Sequence, residues 1–80
     1  MDQGEVALRL AASLGASGDV DAEVAALESL VQRDDLSADL TARALVLLSE
    51  ATAEMGFPER ALALHEEVLQ RFGNLSLIHI

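Results

Sequence analysis

The chain is expected to be all-α, built from two antiparallel helical hairpins stacked on one another. Three observations predict this. Ala and Leu dominate, aromatics are 2% of the residues and there is one Pro, a mix that suits helices and suits strands poorly. Apolar residues recur three and four positions apart through most of the length, which is the period of a half-buried helix. The sequence also overlays on itself at an offset of 38 residues, so the second half reads as a copy of the first.

The first helix starts at Asp2-Gln3-Gly4-Glu5. There Asp2 can accept from the amide three residues on and Glu5 can reach back. Val6, Leu10 and Leu14, with Ala7 and Ala11 beside them, give its apolar stripe, and Gly15-Ala16-Ser17-Gly18 ends it. Asp19 caps the second helix, whose apolar face is Val20, Val24, Leu27, Leu30 and Val31. Asp21 and Glu23 in its first turn and Arg33 in its last suit the helix dipole. Asp34-Asp35-Leu36-Ser37 is a break, with Ser37 or Asp35 as the next cap.

The third helix runs from about Ala38 to Met55, roughly 27 Å at 1.5 Å per residue. Its buried stripe is Leu40, Ala44, Leu47, Leu48, Ala51 and Met55, and Asp39, Arg43, Val46, Glu50 and Glu54 form another face. Asp39 and Arg43 can pair at i, i+4, whereas Glu50 and Glu54 repel at the same spacing. Gly56 stops the helix as a left-handed cap. Pro58 fits the first position of the fourth helix, where a missing N–H costs nothing. Ala61, Leu62, His65, Val68, Leu69 and Phe72 make that helix's buried face, and Gly73 ends it.

In the 38-residue overlay Gly18 falls on Gly56, Leu10 on Leu48, Ala25 on Ala63, Glu28 on Glu66, and Gln32-Arg33 on Gln70-Arg71. Val24, Leu30 and Val31 fall on Leu62, Val68 and Leu69. Repeated helix pairs at such a period point to a solenoid. The stretch from Ala44 to Gly73 resembles a tetratricopeptide repeat (TPR). Leu45, Leu48 and Ser49 stand at that family's Trp, Leu and Gly positions and Thr52 at its Tyr position. Ala61 stands at the small residue of the second helix, and His65 at the aromatic that follows. Gly73 replaces the terminal Pro, the large aromatics are missing, and the period exceeds the usual 34. The run Glu66–Gly73, ending Arg71-Phe72-Gly73, is similar to a longer-period bacterial variant. In the first copy Glu23 stands where a small residue belongs, and a one-residue shift would bring Val24 there. The resemblance implies a TPR-like solenoid fragment over residues 1–74, with repeat one at about 3–34 and repeat two at about 37–73. Residues 75–80, Leu-Ser-Leu-Ile-His-Ile, contain the chain's only Ile residues. They resemble a translated sequencing-adapter end, and so a non-native tail on a fragment of a longer protein.

Net charge is −9. Such a surface repels phosphate backbones and anionic headgroups, so neither nucleic acid nor membrane is expected as a partner. No apolar run approaches the ~20 residues of a membrane span. The start lacks the basic residues of a signal peptide, and there is no Cys. These features place the chain in the cytoplasm as an expectation. Its cations are Arg alone, a usage associated with GC-rich bacterial genomes.

Chemistry is thinly represented. His65 has no partner at the spacing of a metal-binding His pair and reads as a core substitute at an aromatic position. The spacing of Asp34, Asp35, Ser37 and Asp39 lacks the Gly and terminal Glu of a calcium loop and reads as a capped linker. No phosphate loop or nucleophile elbow is present. The expectation is a non-enzyme without catalytic residues, metal or cofactor, acting as a protein–protein interaction or scaffolding module. The alternatives are an accessory repeat segment of a multidomain regulator or enzyme, and a free-standing four-helix protein. In the TPR family the first helix of each pair lines the concave binding face. Carried over, that gives Glu5, Leu8, Arg9 and Ala12 from the first unit and Arg43, Val46, Leu47, Glu50, Ala53 and Glu54 from the second. The family's clamp for carboxylate termini uses Lys and Asn on these helices. This chain has no Lys, and its one Asn is Asn74. The Glu50–Glu54 repulsion instead suits a basic protein or peptide, or an Arg from a third repeat unit of a longer protein.

Overall fold

Helix boundaries in this chain are set by glycines and short polar caps. The computed structural model describes the backbone of residues 3–77 and the side chains of residues 3–72. Four helices follow in order: α1 (Gln3–Ala16), α2 (Val20–Val31), α3 (Ala38–Glu54) and α4 (Pro58–Leu77). The cap expected at Asp2 and the tail's last residues, 78–80, lie outside the described residues.

The two hairpin turns share one hydrogen-bond pattern, displaced by 38 residues. Gly18 and Gly56 both have φ of 93°, a left-handed conformation that costs a side-chain-bearing residue 1–2 kcal/mol, as a rough figure. The Asp19 amide donates to the Leu14 carbonyl at 2.9 Å and the Gly18 amide to Gly15 at 3.0 Å. In the second turn Phe57 donates to Thr52 at 3.2 Å and Gly56 to Ala53 at 3.0 Å. These paired bonds, six-to-one and five-to-two, are the Schellman closure, which satisfies the carbonyls a helix end leaves open. The helices that follow start alike, with Glu23 donating to the Asp19 carbonyl and Ala61 to the Phe57 carbonyl, each at 3.0 Å. No one-residue shift is needed, and Glu23 is the counterpart of Ala61. Asp19 caps α2 by accepting from the Ala22 amide at 3.2 Å, and Ser37 caps α3 by accepting from Leu40 at 3.2 Å.

The helices pack as two stacked hairpins: α1 on α2, α2 on α3, α3 on α4, with α1 also touching α3. The core is Leu8 and Ala11 from α1, Leu27 and Leu30 from α2, and Leu40, Ala44 and Leu48 from α3. Leu27, Leu45 and Leu48 are the largest side chains sealed from solvent. α3 is central, flanked by neighbours on both sides, and it alone buries eight residues. Thr41, Ser49 and Thr52 are accommodated there because their hydroxyls donate to the Ser37, Val46 and Leu48 carbonyls, so no buried hydroxyl among the described residues goes unpaired.

Several inward faces differ from expectation. In α1, Gly4, Leu8 and Ala11 point inward and Leu10 is 63% exposed. Both neighbours of α1 lie on the Leu8 side, and Leu10 is 200° further round the helix at about 100° per residue. Val6 and Leu14, expected beside Leu10 in the stripe, are half-buried. In α4 the buried stripe is Ala61 and Val68 with Leu64 partly covered, while Leu62 and Leu69 are 59% and 51% exposed. His65 is likewise exposed rather than a core substitute, and Phe72 is half-buried. The reason is the same: among the described residues α4 packs on α3 alone, so one narrow stripe is covered. Met55 follows α3 as its C-cap and is 38% exposed. Arg33 lies past the end of α2, where it grips Asp35 through two hydrogen bonds of 3.0 and 2.6 Å. Gly73 does not end α4. The helix departs from regular geometry at Phe72 (φ −127°, ψ 16°) and resumes to Leu77.

Candidate functional site

The residues expected on a binding face come from α1 and α3, which lie side by side. Leu8 does not belong to that surface, being 7% exposed within the core. Its place at the crowded meeting of three helices follows from the inward rotation of α1. Val46 and Leu47 are half-buried, with Leu47 resting against the core cluster, and Glu5 and Ala12 are half-buried. Arg9, Arg43, Glu50, Ala53 and Glu54 are exposed.

Both arginines of this set pair along their own helix. Arg9 reaches Glu5 at 3.0 Å and Arg43 reaches Asp39 at 3.3 Å. These are exposed i, i+4 pairs, worth a few tenths of a kcal/mol each as an order of magnitude. Among the described residues neither Glu50 nor Glu54 forms an ion pair. The lower end of this face is therefore left acidic.

A third carboxylate joins them, which the sequence alone did not reveal. Glu23, in the first turn of α2, is 7% exposed. Its carboxylate lies over Gly15 of α1, in the space a Cβ there would need. Burial pushes the Glu23 carboxyl above its ordinary value of 4.5, and the charges of Glu54 and Glu50 push it further the same way. Glu23, Glu50 and Glu54 thus act on one another across the meeting of the first turn and α3. The available signal was the pairing of Gly15 with Glu23 across a tight turn. A residue without a side chain at the end of one helix leaves room for a long one at the start of the next.

The linker acids are engaged otherwise. Asp35 is held below its ordinary 3.8, first by its hydrogen bonds from Arg33. Ser37 caps α3 and Asp39 pairs with Arg43. Among the described residues no group of three His, Cys, Asp or Glu side chains is placed to hold a metal ion. No helix among them is long and apolar enough to cross a membrane.

Two further surface features bear on the hairpin stack. Arg60 of α4 donates to Glu28 of α2 at 2.6 Å, an ion pair that bridges the two hairpins. A shallow groove of about 280 Å³ runs between α1 and α2, walled by Ala7, Leu10, Leu14, Ala26 and Arg33 among others. No family model matches the chain, and no curated protein or solved structure matches it either.

Proposed function

We propose that this chain is a TPR-like interaction module without catalytic activity of its own, and that its α1–α3 face binds a basic segment of a protein partner. The TPR-like part of the reading is supported by burial. Of the six residues at the family's signature positions in the second hairpin, Leu45, Leu48, Ser49, Thr52 and Ala61 are buried, whereas His65, at the aromatic position, is exposed. The observation that carries the partner's chemistry is that Glu50 and Glu54, exposed and without an ion pair among the described residues, add their charge to that of the buried Glu23 carboxylate. Like charges at i, i+4 repel, and a basic side chain beside Glu50 and Glu54 offsets that repulsion. An Arg or Lys side chain from an extended or helical peptide supplies such a cation. Steering by the chain's net charge of −9 favours the same class of partner.

The test is a titration with an Arg-rich peptide followed by amide chemical shifts. Perturbations centred on α3 near Glu50 and Glu54, weakening with added salt, are expected. Glu50→Gln and Glu54→Gln should each weaken binding by about five- to tenfold, or roughly 1 kcal/mol. Shifts confined to other surfaces, or affinity unchanged in both variants, would sink the proposal.

A further inference from the structure

The two hairpin turns share one hydrogen-bond pattern at an offset of 38 residues, so the contact of α2 with α3 is a guide to what covers the matching face of α4. The side of α2 that meets the second hairpin carries Val24, Leu27, Glu28 and Val31. Leu27 is fully sealed there, Val24 and Val31 rest on the core, and Glu28 takes its bond from Arg60. Their counterparts on α4 are Leu62, His65, Glu66 and Leu69, and all four are exposed. The partner of the α2 face is α3, where Leu48 is 2% exposed and Thr52 is 2% exposed. Their counterparts on α1 are Leu10, which is 63% exposed, and half-buried Leu14. Both wall the 280 Å³ groove between α1 and α2.

The molecule therefore displays both halves of an interface it also contains. We propose that α4 of one copy of this chain docks against α1 and into the α1–α2 groove of a second copy, repeating the α2–α3 contact between molecules. Leu62 and Leu69 would take the places of Val24 and Val31, and Leu10 the place of Leu48. The two surfaces differ, so the contact is heterologous and adds copies in line rather than closing on itself. Two differences from the internal interface set its strength. The counterpart of Arg60 is Ala22, so Glu66 gains no cation. The net charge of −9 also repels one copy from another. Added salt screens that repulsion, so self-association strengthens as salt rises, opposite to the binding of a basic peptide.

Sedimentation velocity of the full 80-residue chain between about 10 μM and 1 mM, a span suited to weak complexes, reads this directly. Dimers and longer species should grow with concentration, and more so in high salt. Leu10→Glu and Leu69→Glu, at exposed positions that leave the helical circular dichroism unchanged, should each weaken self-association by about tenfold or more. An equimolar mixture of the two should form a one-to-one dimer and nothing larger, since each variant keeps the half the other has lost. Leu62→Glu provides a second probe of the α4 face. A wild-type chain that stays monomeric throughout overturns the proposal, as it would if this face served only a further hairpin of the same polypeptide. Leu10→Glu associating as tightly as wild type while Leu69→Glu is monomeric also overturns it, in favour of a symmetric α4–α4 pair.

Discussion

The carboxylate of Glu23 occupies the space that a Cβ on Gly15 would need. Gly15 lies inside α1, where replacing Gly by Ala ordinarily stabilises a helix by about 0.5–1 kcal/mol. Here Ala must displace a buried carboxylate, though only by its flexible end. Gly15→Ala should therefore give its full gain when Glu23 is already Ala and little or none when Glu23 is present. A double-mutant cycle by urea unfolding should return a coupling of about 0.5–1 kcal/mol. Additive effects would mean that the two residues do not constrain each other.

Glu23 also predicts a pH dependence. Its folded carboxyl titrates above the ordinary 4.5 because of burial and then Glu54 and Glu50. Between that value and its raised folded value, the folded chain holds more protons than the unfolded one, so stability falls as pH rises through this window. Its contribution is fully present below 4.5 and lost above the folded value. Asp35 runs the other way, with stability present above its ordinary 3.8 and lost below it, outside this window. Glu23→Gln should raise the urea midpoint at pH 7 and flatten the profile above the ordinary value of 4.5. A profile with the same slope in that variant would assign the dependence to other groups.

The turn glycines give matched predictions. Nothing lies within 4 Å of a Cβ built on Gly18 or Gly56, so the cost of Ala at either place is backbone strain alone. Each substitution should destabilise by about 1–2 kcal/mol, and Asn should cost less. For a domain of this size that is a drop of roughly 4–8 °C in melting temperature per kcal/mol. A loss at one turn and none at the other would break the equivalence of the two closures.

Leu27→Ala and Leu62→Ala should separate widely. Leu27 is sealed in the core and Leu62 is 59% exposed, although both lie on apolar faces by sequence. The first change should cost about 2–5 kcal/mol, enough to unfold much of a small, marginal domain. The second should stay within about 0.5 kcal/mol at dilute concentration. Thermal melts followed by circular dichroism distinguish them.

The legible parts of this fold were the local ones. Asp19, Ser37, Gly18, Gly56 and Pro58 act through hydrogen bonds and dihedral angles within a few residues, and the structure uses each as its sequence context implies. Which face of a helix turns inward depends on how many neighbours it has. Along α3, covered on two sides, Leu40, Ala44, Leu48 and Ala51 were readable from their spacing. Leu45, sealed from solvent, was not in the expected stripe, and Leu47, which was, is half-buried. On α1 and α4, which have neighbours on fewer sides, Leu10, Leu62 and Leu69 match the helical period and still face solvent. The acidic pair Glu50 and Glu54 was visible from its i, i+4 spacing. Glu23 was not, because its burial rests on a glycine of another helix.

The core cluster draws every buried member from α1, α2 and α3, while α4 is held to α3 through Ala61, Leu64 and Val68. Resistance to opening is therefore graded along the chain. Native-state hydrogen exchange should find the α4 amides opening at a free energy below that of global unfolding, with the first three helices as the cooperative unit. Opening α4 leaves the buried cluster of Leu27 and its neighbours on α1, α2 and α3 in place. Whatever covers Leu62 and Leu69 raises the energy of that opening, so occupancy of the last helix and the breathing of the whole stack are two readings of one equilibrium.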